Sequence, residues 1–418
     1  MREPGCQLDI ALLEHRMSNL RLPRKQMALG RRSARRVVLA FVFCLLFFLS
    51  ATASAGPLER ARRMHDRLVG IPPTEVVLQD MVNLLNATPS DPEGAALLAM
   101  QNPVFYTSTL KNWVTPWTNV PGTVFDELND YTATVIGMVR DDVPFDQVLY
   151  ADILYVGNGS PGHSQTDNDH YRELELDRVD LSDPGELQRE TQSGQNGAAV
   201  DSGSAAGIIT TRAAAASFFS AGTNRRMWRF VSINFLCRDL EDTKDVSRAV
   251  GRIRKDVSRS PGGDSSIFLN HCSGCHSGMD PLAGAFAYYE WDDEQMRLRY
   301  TPGSVQAKYG INAETFPAGY ETIDDSWENY WREGPTSDLG WDSSLLGSGF
   351  GAQSLGREVA ASRAFSLCQV EKVFSQVCFR PPSSTADAAA IETIATDFES
   401  GYSMKNVFAE VAAYCTEE

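Results

Sequence analysis

The chain has 418 residues, 43% of them hydrophobic and 22% charged, and carries a formal net charge of −16. So acidic a chain excludes nucleic acid and anionic membrane surfaces as natural partners and favours a basic protein or a small molecule.

In residues 1–55 the balance is reversed, with nine Lys/Arg against three Asp/Glu. The basic cluster Arg31, Arg32, Arg35, Arg36 runs into the uncharged VVLAFVFCLLFFLS, followed by ATASA, whose Ala53 and Ala55 meet the small-residue rule for cleavage. A secretory signal peptide over 1–55 is expected, cut after Ala55. The competing reading is a retained anchor, but its 14 apolar residues fall short of the ~20 that a spanning helix needs. Met27 is a more ordinary start than Met1, and Cys44 has no lipobox around it. The expected location is therefore outside the cytoplasm, periplasmic or secreted, in a bacterium. Cleavage would leave 418 − 55 = 363 residues with a charge of −16 − 6 = −22, enough chain for two or three packed units. No later segment is apolar enough to span a membrane.

Helical patterns dominate the remainder. Residues 56–156 form an N-terminal helical region: TEVVLQDMVNLLN predicts a helix over 74–86 with Thr74 as N-cap. Val124, Leu128, Tyr131, Val135 and Met138 predict another over 122–140. PFDQVLYADILYV, 144–156, begins as a helix and ends as a strand. Residues 157–207, crowded with Gly, Ser, Asn, Asp and Gln, predict a long polar loop with short ordered pieces, of the kind that covers a site. A helical segment over 208–259, with NRRMWRFVSINFLCRDL at 224–240, leads to the region 260–330, which opens on a Ser-Pro-Gly-Gly break. Residues 301–350 show little periodicity. The C-terminal domain, 331–418, ends in three expected helices, around 355–379, 385–400 and 403–415.

Six cysteines follow the leader: Cys237, Cys272, Cys275, Cys368, Cys378 and Cys415. Outside the cytoplasm each needs a partner or a ligand. Cys368 and Cys378 share one predicted helix at a spacing of ten residues, about 15 Å, which is beyond the ~7 Å reach of a disulfide. If Cys272 and Cys275 serve another purpose, two disulfides are expected, each joining one helix cysteine to Cys237 and the other to Cys415. Which goes to which is open.

Cys272-Ser273-Gly274-Cys275-His276 carries the chemistry. C-x-x-C-H is the attachment pattern of a c-type haem: two thioethers to the porphyrin vinyl groups and the adjoining histidine, His276, as proximal iron ligand. Export agrees, because bacteria attach haem outside the cytoplasm. A structural zinc would want a second Cys/His pair, and His65, His163, His170 and His271 have no neighbouring cysteine to form one. A thioredoxin-like CxxC would want a βαβ setting. One covalent haem c is the expected cofactor. For the sixth iron position Met296 is the candidate, since Met279 is too near His276 to reach the opposite face; Met404, His163 and His170 are weaker candidates. Phe286, Tyr288, Tyr289 and Trp291 are expected either to cover a haem edge or to be ordinary core.

The stretch CSGCHSGMDPLAGAFAYYEWDD resembles the signature of the planctomycete-type cytochrome c proteins, modular bacterial haem proteins built from domains of unknown function. Met279 takes its hydrophobic position, Asp280 and Pro281 its Asp-Pro, and Phe286, Tyr289 and Asp292 its aromatic-acidic tail. PFDQVLYADILYV, GIITTRAAAASFFSAGTNRRMWRFVSINFLC and the C-terminal SLGREVAASRAFSLCQVEKVFSQVC are similar to the family's flanking segments, so the likeness runs over about residues 140–418. It departs from the family in a short N-terminal part and a glycine displaced to Gly284. The resemblance implies an exported, mostly helical monohaem protein. The fold expected is mainly α and multi-helical, with one haem domain between helical N- and C-terminal parts and long irregular loops. Electron transfer with a redox partner protein, a basic one to suit the acidic chain, is the first expectation for function. A haem-dependent oxidoreductase with a pocket at 157–207 and a polymer- or partner-binding module with an accessory haem are the alternatives.

Overall fold

The computed structural model describes residues 56–220 and 222–417. The expected signal peptide, Met27 and Cys44 lie outside the described residues.

Local rules start and stop most helices. Helix α1, Pro57–Val69, begins with Pro at its first turn and ends at Gly70, whose φ of 79° lets its N–H reach Asp66 O. Helix α2, Glu75–Leu85, is capped by Thr74, which accepts from Val77 N at 3.3 Å. Helix α3, Pro92–Ala99, is capped by Asp91. The helix expected over 122–140 is shorter: α4 spans Asp130–Arg140, because Asn129 turns extended and its side chain accepts from Thr132 N. Val124 is therefore 88% exposed, and its helical spacing has no helix to serve.

Residues 144–156 behave as read, a 3-10 turn Phe145–Leu149 passing into strand β1, Leu154–Gly157. The polar segment 157–207 holds helix α5, Asp169–Leu176, and strand β2, Leu187–Glu190, which pairs antiparallel with β1. Gln192 ties its far end down by donating to Ile153 O and Gly207 O.

Helix α6, Arg212–Phe218, precedes α7, Arg225–Leu236. A π turn, Phe268–Cys272, runs into α8, Ser273–Ala283. Strands β3, Tyr289–Asp292, and β4, Arg297–Tyr300, form a hairpin. Strands β5, Ser326–Glu328, and β6, Ser348–Phe350, pair across the irregular 301–350 region.

Four C-terminal helices replace the three expected: α9, Gly351–Ala360; α10, Arg363–Cys378; α11, Thr385–Phe398; and α12, Met404–Glu417. The long helix anticipated over 355–379 breaks at Ser362, whose hydroxyl caps α10 through Phe365 N at 3.2 Å. Chain order and packing differ: α12 lies against α1, α3, α10 and α11, so the two ends of the described chain share one core. The fold is mainly α with three two-stranded sheets, and among the described residues no helix is long and apolar enough to cross a membrane.

Helix α7 organises the interior, with α10 on one side and α8 on the other. On the α10 side the rings of Trp113, Trp117, Phe235 and Phe365 follow one another at 4.8, 5.5 and 6.2 Å. Lys372 of α10 lies 3.2 Å above the Trp117 ring and donates to Asn234 O, near the C-terminal end of α7, and burial pushes its amine well below the usual lysine range. Cys237, at the end of α7 with a φ of 52°, is bonded to Cys368 of α10, with Cα atoms 5.3 Å apart. Cys378 at the end of α10 is bonded to Cys415 of α12, Cα atoms 5.5 Å apart. Of the two pairings left open by the sequence, the fold takes this one because α7 crosses the first half of α10 and α12 its end.

Candidate functional site

The CSGCH residues lie where the π turn gives way to α8, so Cys272, His276 and Asp280 follow at intervals of four along one face. Neither Cys272 nor Cys275 is in a disulfide, and both are partly exposed. Cys272 packs against a small cluster of Ile253, Val257 and Phe268. The Cys275 thiol points at Leu240 O, 3.4 Å away. Burial, then the neighbouring Glu241 carboxylate, push that thiol up, which is opposite to what a reactive redox thiolate requires.

His276 donates from Nδ1 to Asp280 Oδ1 at 3.0 Å, one helical turn on, and this leaves Nε2 as the free ring nitrogen. Its side chain is 23% exposed, whereas that of Asp280 is fully buried. Three further donors converge on Asp280: Arg225 Nε at 2.6 Å, Arg225 Nη2 at 3.0 Å and the Arg254 N–H at 3.1 Å. Arg225 closes the network with two bonds to Asp256, at 2.6 and 2.8 Å. Burial alone would raise the Asp280 carboxyl, but Arg225, the His276 hydrogen bond and Arg254 outweigh it and hold the carboxyl well below the usual range.

Tertiary structure supplies this arrangement. Arg225 is the first residue of α7, and Asn224 before it, at a φ of 58°, donates to Phe286 O and Tyr289 O at 2.7 and 2.9 Å. That clamp fixes the start of α7 against the chain leaving α8. Residues 239–257 wrap α8 from the other side, with Asp245 N donating to Gly274 O at 3.2 Å. The absent side chains of Gly274 and Gly278 make room: a Cβ would meet Lys244 Cγ at 2.7 Å in the first case and Trp331 Nε1 at 2.0 Å in the second.

The other residues singled out in the sequence lie apart from the motif's contacts. Met296 sits on the turn between β3 and β4, 48% exposed, with a φ of 53°. His170 is buried with both ring nitrogens engaged, Nδ1 donating to Pro161 O and Nε2 accepting from Gly157 N, so it has no lone pair left for a metal. Met279 and Met404 are buried packing residues. Phe286 and Tyr289 belong to the core: each lies within 5.8 Å of the Phe219 ring, and the Tyr289 hydroxyl donates to Ser204 O. Arg225, Asp256 and Arg254 went unnoticed in the sequence, where nothing separates them from other charges. Asp280 had two usable signals, its place in the Asp-Pro of the family-like signature and its spacing of four from His276 on a helix.

The donor set fits a c-type haem. Two unpaired thiols and an imidazole with Nε2 free lie within five residues on one helix start, and the flanking Ile267, Leu269 and Val246 are 39, 55 and 57% exposed, an apolar border for a macrocycle. Among the described residues no group of three His, Cys, Asp or Glu side chains is placed to hold a bare metal ion, whereas haem iron asks a single protein ligand of this motif. A polar cleft of about 470 Å³ adjoins the site, lined by Asp245, Arg248, Asn329, Tyr330 and Arg332 among others. Comparisons with protein-family models, curated proteins and solved structures return no match.

Proposed function

We propose that this chain is an exported monohaem c-type cytochrome whose activity is electron transfer. Cys272 and Cys275 would hold the porphyrin as thioethers, and His276 Nε2 would ligate its iron. Bound there, the haem supplies one-electron chemistry.

The observation that carries the reading is the contrast among the cysteines. Four are consumed in disulfides, while Cys272 and Cys275 stay as thiols beside a histidine with one ring nitrogen free. Two disulfides also support export, since such bonds persist in oxidising compartments. The chain's own residues then have defined tasks. Asp280 orients the imidazole, Arg225 anchors Asp280, Asn224 fixes the start of the helix that carries Arg225, and Ile253, Val257 and Phe268 pack against Cys272. The excess of carboxylates suits a basic redox partner. The resemblance to the planctomycete-type cytochrome c proteins supports the same assignment.

A second reading, a haem-dependent oxidoreductase, draws on the cleft that holds Asp245 and Arg248. Gly278 lies so near this cleft that a Cβ there would meet Arg248 Nη1 at 2.8 Å. A substrate there would stand beside the motif, not at the 157–207 segment.

The test is a pyridine haemochrome spectrum of the protein exported from cells that carry the haem-maturation machinery. Covalent haem is expected in the wild type and its loss in Cys272→Ala/Cys275→Ala; wild-type protein without covalent haem would defeat the assignment. In the same preparation, carbon monoxide binding to the reduced protein would favour the oxidoreductase and its failure to bind the carrier. A changed oxidised spectrum in Met296→Ala would assign Met296 the sixth position.

A further inference from the structure

The four groups Asp256, Arg225, Asp280 and His276 form one partly buried chain of hydrogen bonds ending on the imidazole, with every link between 2.6 and 3.0 Å. Two carboxylates share the guanidinium of Arg225, so the three acidic and basic members carry one net negative charge. Arg254 gives Asp280 its backbone N–H but turns its guanidinium to Thr223, which accepts at backbone O at 3.0 Å, and over the Tyr309 ring at 4.8 Å. The Asp280 carboxylate stands at the inner end of the chain, against His276 Nδ1, with the Arg254 charge also acting on it.

A neutral carbonyl would hold a histidine ring in place equally well. A carboxylate does more: by accepting the Nδ1 proton it makes Nε2 a stronger donor, and a stronger donor favours the more highly charged state of a metal. The contact is strengthened because Asp280 is fully buried, although the His276 side chain is 23% exposed.

We propose that Asp280 is the positioning residue of this site: its carboxylate, anchored by Arg225, fixes the His276 imidazole and lowers the reduction potential of iron bound at Nε2. The proposal rests on the haem assignment above.

Spectroelectrochemical titration of haem-loaded wild type, Asp280→Asn, Asp280→Glu and Asp256→Asn tests it. In Asp280→Asn the oxidised-to-reduced ratio at a fixed ambient potential should fall about tenfold, the lower end of what losing a hydrogen-bond partner of a metal-bound histidine does, which is ~59 mV upward for one electron. Asp280→Glu should recover most of that shift. Asp256→Asn, which loosens Arg225 without touching the imidazole, should lower thermal stability and change the ratio less than threefold. A purely structural role for Asp280 predicts loss of stability in both Asn variants and no change of potential in either. Haem-loaded Asp280→Asn with a ratio within twofold of wild type overturns the proposal. Should that variant not accumulate, nitrogen-15 spectra of the wild-type His276 ring decide: Nδ1 protonated and shifted toward imidazolate supports it, and an ordinary neutral-acceptor shift overturns it. Wild type without haem defeats the function and this inference together; wild type with haem and an unshifted variant defeats the inference alone.

Discussion

Asn224 shows how much one residue can hold. It is fully buried, adopts a left-handed backbone, and its amide satisfies two carbonyls, Phe286 O and Tyr289 O, at the point where α7 starts and α8 has just ended. Asn224→Ala would strand both carbonyls and place Ala in a conformation that disfavours a Cβ, a loss of about 3 kcal/mol at 1–3 per buried unsatisfied group. Urea unfolding should read it, with Asn224→Gly, which relieves the backbone but not the carbonyls, only partly better. Glu410 on α12 is the opposite case, a half-buried group that its surroundings disfavour when charged. Burial, then Glu93 and Asp397, lift its carboxyl from 4.5 to about 7. A carboxyl raised in the folded state gives stability that is fully present below its unfolded value and lost as pH rises through about 7. Melts between pH 5 and 8 should therefore show this decline. Glu410→Gln should flatten it and be more stable at pH 8 by about 1 kcal/mol, after discounting for partial exposure.

Among the elements, α10 is the one on which others depend. It meets α7 through Cys368 and Lys372, α12 through Cys378, and the Trp113 to Phe365 aromatic run along its flank. Peptide mapping of the non-reduced protein should yield Cys237–Cys368 and Cys378–Cys415, and recovery of Cys237–Cys378 would contradict the packing of α7 on α10. Loops of 131 and 37 residues are closed by these bonds; removing each as a Cys→Ser pair should cost about 5 and 4 kcal/mol in chemical denaturation by the chain-entropy relation. The α10 helix itself was legible from its apolar periodicity. Its separation from α9 was not, since Ser362 in mid-pattern is as compatible with a continuous helix as with a cap until Gly340 O is there to receive Arg363 N. Likewise α4 lost its first turns to Asn129, a strong N-cap in the middle of a helical repeat.

At the scale of the whole molecule the chain ends matter. Helices α1 to α3 and α10 to α12 pack together, and the CSGCH helix joins the same core through Met279, Leu282 and Ala283, against α7. Any haem attached there would sit on a part of the protein held by α7 and by the irregular 239–257 and 326–350 segments. This explains why the residues around the motif could not be found from spacing. They come from loops without periodicity, brought together by turns and by single hydrogen bonds such as Asp245 N to Gly274 O.

The sequence by itself determined the mainly α class, the four cysteines open to disulfides, the impossibility of a Cys368–Cys378 bond, and the Cys272, Cys275 and His276 set, because each follows from local spacing along a helix or a short motif. Only the tertiary structure decided which cysteine meets which and that Arg225, Asp256 and Arg254 converge on Asp280. Those contacts join residues 26 to 131 positions apart, and a single chain read in order carries no periodicity that reports so distant a partner.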